Sequence, residues 1–265
     1  MARALQIPIL MYHSVSDACA PRFRRFAVRP ATFEAQMRYL SEQGFTTLTV
    51  SGLIEAMSGR AALPRKPVVL TFDDGFADFY EAALLVLRRY GQTATLYVVS
   101  GAVGKTSTWL EGIGEGKRPM ATWSNLVEIQ KCGVEIGAHT VSHAALDLLP
   151  AAAARDEIAN SKRMLEDGLG CPVSTFAYPF GYQTAAVRDV VKAEGYSSAC
   201  AVRYKMCTPQ DDRFALPRHI ALDSWDSKTF AAVLEGRPQR LPNFLDRTRS
   251  HAWRAARRAV GSFYP

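Results

Sequence analysis

Apolar, strand-like runs of five to seven residues recur along this chain, and between most of them lies a stretch of helical periodicity. The strand candidates are "IPILMYH" (7–13), "TTLTV" (46–50), "VVLTF" (68–72), "TATLYVV" (93–99), "VEIGA" (134–138), "STFAYPF" (174–180) and "SSACAV" (197–202). Helical patterns cover 29–45, about 51–58, 77–91, 122–133, 149–170 and 184–195. In the first of these, Thr32 is available as a cap and Phe33, Met37 and Leu40 share one stripe. Strands alternating with helices build parallel β/α units. The expectation is an α/β fold, a distorted (β/α) barrel of about seven parallel strands, which fits at least as well as a doubly wound sheet. No glycine fingerprint of dinucleotide binding follows the first strand, and "GAVGKTST" lacks the phosphate-loop spacing.

A chain of 265 residues, 48% hydrophobic and 22% charged, suits one catalytic-sized domain spanning 1–265. Its formal net charge of +7 is concentrated towards the end, in "RPQRLPNFLDRTRSHAWRAARRAV", which reads as a basic helical extension from about 228. No nucleic-acid-binding motif accompanies that charge, so no nucleic acid partner is expected. The five cysteines show neither CxxC pairing nor the dense spacing of a disulfide framework. No window approaches the roughly 18–20 apolar residues of a transmembrane segment, and "MARALQIPILMYHSV" is too short and interrupted for a signal peptide. The expected location is cytoplasmic, and the sequence leaves the oligomeric state open.

The chemically suggestive groups all fall at the carboxyl ends of predicted strands. Asp73 and Asp74 follow "VVLTF", His139 follows "VEIGA", His13 follows "IPILMY", and "YPFG" follows "STFA". In a parallel β/α architecture those ends converge on one face, where active sites are built. His139 and His143 stand four apart in "HTVSH", so a helical turn would bring both imidazoles to one side. Two imidazoles and a carboxylate make a three-ligand site for a divalent metal ion. For both aspartates to reach that site, the strand must bend at Gly75. Asp74 has a competing use as a helix N-cap, and Asp78 as its partner in capping.

"TFDDGF" and "HTVSH", with "MYHSV", "FAYPFG" and "LPRHI", resemble in order the motifs of the polysaccharide deacetylases with a NodB homology domain, carbohydrate esterase family 4. The start at "MYHSV" is similar to the branch acting on poly-N-acetylglucosamine. The resemblance implies Asp73 as catalytic base, and Asp74, His139 and His143 as ligands of a divalent ion, Zn2+ first, with Co2+, Ni2+ or Fe2+ as alternatives. It implies metal-dependent hydrolysis of the N-acetyl group of a sugar, oligosaccharide or polysaccharide. The late histidine motif that usually supplies the acid is absent; His13 is the replacement and His219 the alternative. "FAYPFG" carries Ala177 where the family's arginine would stand, and Arg218 can take over that role. Tyr178, Pro179, Phe180, Tyr182, Arg218 and Trp225 are the candidate substrate-binding residues, with core packing the competing use for Phe180 and helix capping for Asp226. Since such a constellation specifies water activation and not the acyl group, the alternatives are hydrolysis of a formamide or cyclic amide, and a catalytically silent carbohydrate-binding relative. The expected location favours a precursor or small glycosylated substrate over an extracellular polymer.

Overall fold

A computed structural model describes residues 5–237. Its strands are β1 (Ile9–Tyr12), β2 (Ser14–Val15), β3 (Ala27–Val28), β4 (Thr46–Leu48), β5 (Pro67–Phe72), β6 (Thr95–Val98), β7 (Glu135–Ala138), β8 (Thr175–Ala177), β9 (Ser198–Cys200) and β10 (His219–Ile220). Its α-helices are α1 (Pro30–Glu42), α2 (Val50–Met57), α3 (Leu84–Arg89), α4 (Trp123–Lys131), α5 (Ala151–Leu169), α6 (Ala185–Ala193) and α7 (Ser227–Leu234). The parallel sheet runs β10-β1-β5-β6-β7-β8-β9, and β4 adds to the first half of β5. Leu216 bridges to Cys200 in β9, and three residues later the same stretch pairs with β1 as β10. One irregular segment therefore joins the two edges, and the sheet curls into the expected distorted barrel without a complete ladder.

Helix starts follow local chemistry. Thr49, Thr122, Thr184 and Asp226 cap α2, α4, α6 and α7, each accepting a bond from a backbone N–H three residues on. Thr32 caps nothing; α1 begins at Pro30 after Arg29, with a ring already set for a helix start. The helix read over 77–91 opens instead with a π-helical turn at Phe79–Ala83 before α3. The proposed basic extension is α7 as far as it is described, and the rest of it lies outside the described residues.

The sheet divides the core in two. Leu10, Tyr12, Leu70, Phe72, Leu96 and Phe176 face outward against the helices, whereas Ile9, Val69, Tyr97, Ala177 and Cys200 face into the curl. Val50, Leu53 and Ile54 of α2 pack on that inner layer. Period-two alternation makes the split. It also fixes which residues beyond each strand can face the interior of the curl.

Candidate metal centre and active site

β1 and β5 pair Tyr12 with Phe72, and the Asp73 N–H donates to the Tyr12 carbonyl at 3.0 Å. Both rings face outward, so the next residues, His13 and Asp73, turn inward side by side. The aspartate pair cannot stay in strand geometry if both are to face the site. Asp74 itself adopts φ 77° and Gly75 φ 84°, so the bend expected at Gly75 begins one residue earlier, at a residue type that tolerates the left-handed region.

The histidines arrive differently from the sequence expectation. No helical turn forms at "HTVSH": β7 ends at Ala138, and 139–143 make an irregular turn in which Thr140 and His143 have φ 66° and 60°. The two imidazoles still meet, with ring centroids 5.0 Å apart. His139 Nδ1 lies 2.7 Å from the Ala177 carbonyl, a contact only an N–H can make, which leaves Nε2 as a lone-pair donor. Asp74 Oδ1 stands 3.6 Å from that Nε2 and 3.3 Å from His143 Nε2.

One ligand atom each from Asp74, His139 and His143 lies within 4.8 Å of the others. Asp74 Oδ1 is buried without a hydrogen-bond partner, as is His143 Nδ1. An orphaned carboxylate oxygen facing two imidazoles is costly unless a cation sits among them. The donor set fits a divalent metal ion. Burial raises the Asp74 carboxyl, but His143, His13 and His139 beside it outweigh burial and bring it down to about 2. Burial, with His143 adding to it, lowers His139 to about 4 against the pull of Asp73 and Asp74. Carboxylate and neutral imidazole are the forms that bind metal.

Asp73 is partnered otherwise. Arg218, fully buried, forks onto it, Nη1 to Oδ1 at 2.6 Å and Nη2 to Oδ2 at 2.8 Å, and also donates to Thr71 Oγ1 and the Ala201 carbonyl at 3.1 Å each. Burial alone would raise the Asp73 carboxyl; Arg218 and His139 reverse that, and it is held below the usual carboxylate range. Arg218 thus steadies the candidate base, the role expected of it from the sequence, and, fully buried, it has no exposed surface to offer a substrate.

The remaining candidates sort by strand parity. His13 is partly buried and packs on Phe26 with centroids 4.8 Å apart; burial lowers its pKa, and the charges of Asp74 and Asp73 only partly offset that. His219 follows inward-facing Arg218 and pairs with outward-facing Leu10, so its ring turns away from the aspartates and sits against the Lys205 backbone. Tyr178 points outward too, is fully buried and donates its hydroxyl to the Phe214 carbonyl at 2.9 Å; it is a core residue, not a groove residue. Pro179 is buried as well. Phe180, by contrast, is 51% exposed, adopts φ 60°, and sets its edge against His143 at 4.7 Å while stacking on Tyr182 at 6.1 Å. Trp225 lines a separate hollow of about 530 Å³ with Arg29, Thr32, Tyr39 and Asp223.

Two features escaped the sequence reading. Trp109 stacks flat on His143 at 5.2 Å, from an excursion with no periodicity to announce it. Asp78 stands at the N-cap of the π-helical turn, but its side chain makes no capping bond; it accepts from Ser14 Oγ at 2.6 Å and pairs with Arg118 at 3.0 Å, tying the chain after His13 to the chain after Asp74.

Fold and site together define a metal-site α/β enzyme whose ligands stand at the carboxyl ends of a curled parallel sheet. The family model described as polysaccharide deacetylase matches residues 60–199, more than half of the chain, and the protein belongs to that family. YxkH of Bacillus subtilis is 26% identical over 230 residues, 87% of this chain and 76% of that protein. A Staphylococcus aureus poly-beta-1,6-N-acetyl-D-glucosamine N-deacetylase is 24% identical over 209 residues, 76% of this chain and 69% of that protein. The Streptococcus pyogenes deacetylase PplD, solved with acetate, superposes with a TM-score of 0.76 at 24% identity, covering 88% of this chain and 99% of that one. The family match contains Asp73, Asp74, His139 and His143 but neither His13 nor Arg218.

Proposed function

We propose that this protein hydrolyses the N-acetyl group of an amino sugar within an N-acetylated glycan, poly-N-acetylglucosamine being the polymer that its relatives' names point to. The observation that carries the reading is the division of labour within the adjacent pair: Asp74 converges with two imidazoles, while both oxygens of Asp73 are engaged by Arg218. Asp74, His139 and His143 would hold a divalent ion, Zn2+ first, which supplies Lewis acidity to the acetamide carbonyl and eases deprotonation of water. Asp73, ionised by its arginine, accepts the proton of the water that adds to the carbonyl carbon. His13, in register beside Asp73, gives a proton to the sugar nitrogen as the C–N bond breaks, leaving acetate and a free amine. Phe180 and Tyr182 form an aromatic platform beside His143, suited to the face of a sugar ring. Trp225, which lines a hollow of its own, is kept as a candidate sugar contact away from the metal centre. Among the described residues, one curled sheet carries every group named, which supports reading them as one catalytic domain.

Acetate release from N-acetylglucosamine oligomers, with formate measured alongside, tests the reaction. Asp74→Ala is expected to abolish tight metal binding, whereas Asp73→Asn retains the metal and loses hydrolysis by at least about 10²-fold. An empty Asp73→Asn protein with a loaded Asp74→Ala protein would reverse the assignment.

A further inference from the structure

The turn that carries His143 is held by a carboxylate outside the metal centre. Glu157, on α5, accepts from the Val141 N–H at 2.8 Å and the Ser142 N–H at 3.0 Å through Oε2, and from Ser142 Oγ at 2.7 Å through Oε1. All three bonds run to residues between the two histidine ligands. From the opposite side, Ser100 N–H donates to the Thr140 carbonyl at 3.1 Å and Gly101 N–H to the Val141 carbonyl at 2.9 Å. A Cβ at Gly101 would lie 2.6 Å from that carbonyl oxygen, so the approach needs glycine there. The turn's donors are thus gathered by α5 and its acceptors by the loop after β6.

That clamp has strain to hold. Thr140, a β-branched residue, and His143 are both in the left-handed region, which side-chain-bearing residues adopt only when the surroundings over-determine it. Spacing alone would let "HTVSH" wind into a helical turn, where the N–H groups of Val141 and Ser142 would remain free. A carboxylate accepting two successive N–H groups and a hydroxyl makes charge-assisted bonds that favour the observed turn over the helix. Trp109 and Phe180 confine the His143 ring, but neither fixes the backbone from which it springs.

We propose that Glu157 is a positioning residue for the metal centre, holding the 140–143 turn so that His143 Nε2 meets Asp74 and His139. It touches no ligand atom and acts through the backbone. This rests on the reading of Asp74, His139 and His143 as metal ligands. The role it describes belongs with the outer partners that set a ligand's orientation, whose loss typically weakens metal affinity about 10–100-fold.

Co2+ titration of the full-length metal-stripped protein, followed by visible absorption and calorimetry, provides the test. Glu157→Ala is expected to raise the Co2+ dissociation constant about 10–100-fold and to change the Co2+ spectrum, because His143 no longer sits in place. Glu157→Gln keeps one acceptor oxygen but loses the charge, and is expected to fall between Glu157→Ala and the parent; it decides the matter if the alanine variant does not fold. Parent-like affinity and spectrum in a folded Glu157→Ala or Glu157→Gln protein would overturn the proposal while leaving the metal centre standing. A parent protein that binds no Co2+, or binds it equally well as His143→Ala, would overturn the ligand assignment and this role with it.

Discussion

Asp73 and Arg218 form the most demanding pair of the molecule: both are buried, the contact is bidentate, and neither charge has water to turn to. Removing one partner strands the other. Arg218→Ala is therefore expected to cost about 3–5 kcal/mol of stability, measured by denaturant unfolding. It should also move the acid limb of the pH–rate profile upward, because burial then acts on Asp73 without the guanidinium. Arg218→Lys keeps a charge but not the fork, and is expected to recover only part of both effects. At His13 the expected change is on the other limb: His13→Ala should lose the basic side of the profile, since the group proposed to protonate the leaving nitrogen is gone, and an unchanged profile would reject that role.

Among the elements, the strand ends could be read and their turns could not. Residue type and order placed Asp73, Asp74 and His139 just past apolar runs, and those runs are β5 and β7. The helical reading of "HTVSH" failed because periodicity contains no information about Glu157, which lies 14 residues beyond His143 and supplies the turn with acceptors. Tyr178 was misassigned for a related reason: alternation in "FAYPFG" shows that two faces exist, but which face looks outward depends on the register with β9 and β7. The helix α2 carries a prediction of its own. Leu53 is fully buried where α2 meets the inner face of the curl, so Leu53→Ala should cost about 2–5 kcal/mol by leaving a cavity. Metal affinity measured on the folded variant should be unchanged, because the ligands stand at the other end of the strands.

At the scale of the whole molecule, the site shapes stability against acid. His139 takes a proton near 6.5 when unfolded but only near about 4 when folded, so below 6.5 the unfolded state binds more protons. Stability of the metal-stripped protein should therefore fall as the pH drops from about 6.5 towards 4, with a slope of at most about 1.4 kcal/mol per pH unit for that proton. Asp73 and Asp74, both held below their usual range, extend the loss to lower pH as each is protonated. Thermal unfolding as a function of pH reads the effect, and His139→Gln should flatten the upper part of the curve.

The sequence by itself determined the alternation of strands and helices, the pair of carboxylates after one strand, the two histidines after another, and hence a parallel sheet with metal-binding chemistry on one face. These are properties of residue order and short-range periodicity, which a linear reading can capture. The sequence already favoured His13 over His219, but tertiary structure alone set His13 in register beside Asp73 and turned His219 away. The sequence offered Arg218 as a partner for the base, but only the fold brought it across 145 residues onto Asp73 and set Trp109 and Glu157 about His143. Each of those outcomes depends on strand register or on contact between segments far apart in the chain. A shift of one residue in register would turn every one of the strand-borne groups to the opposite face.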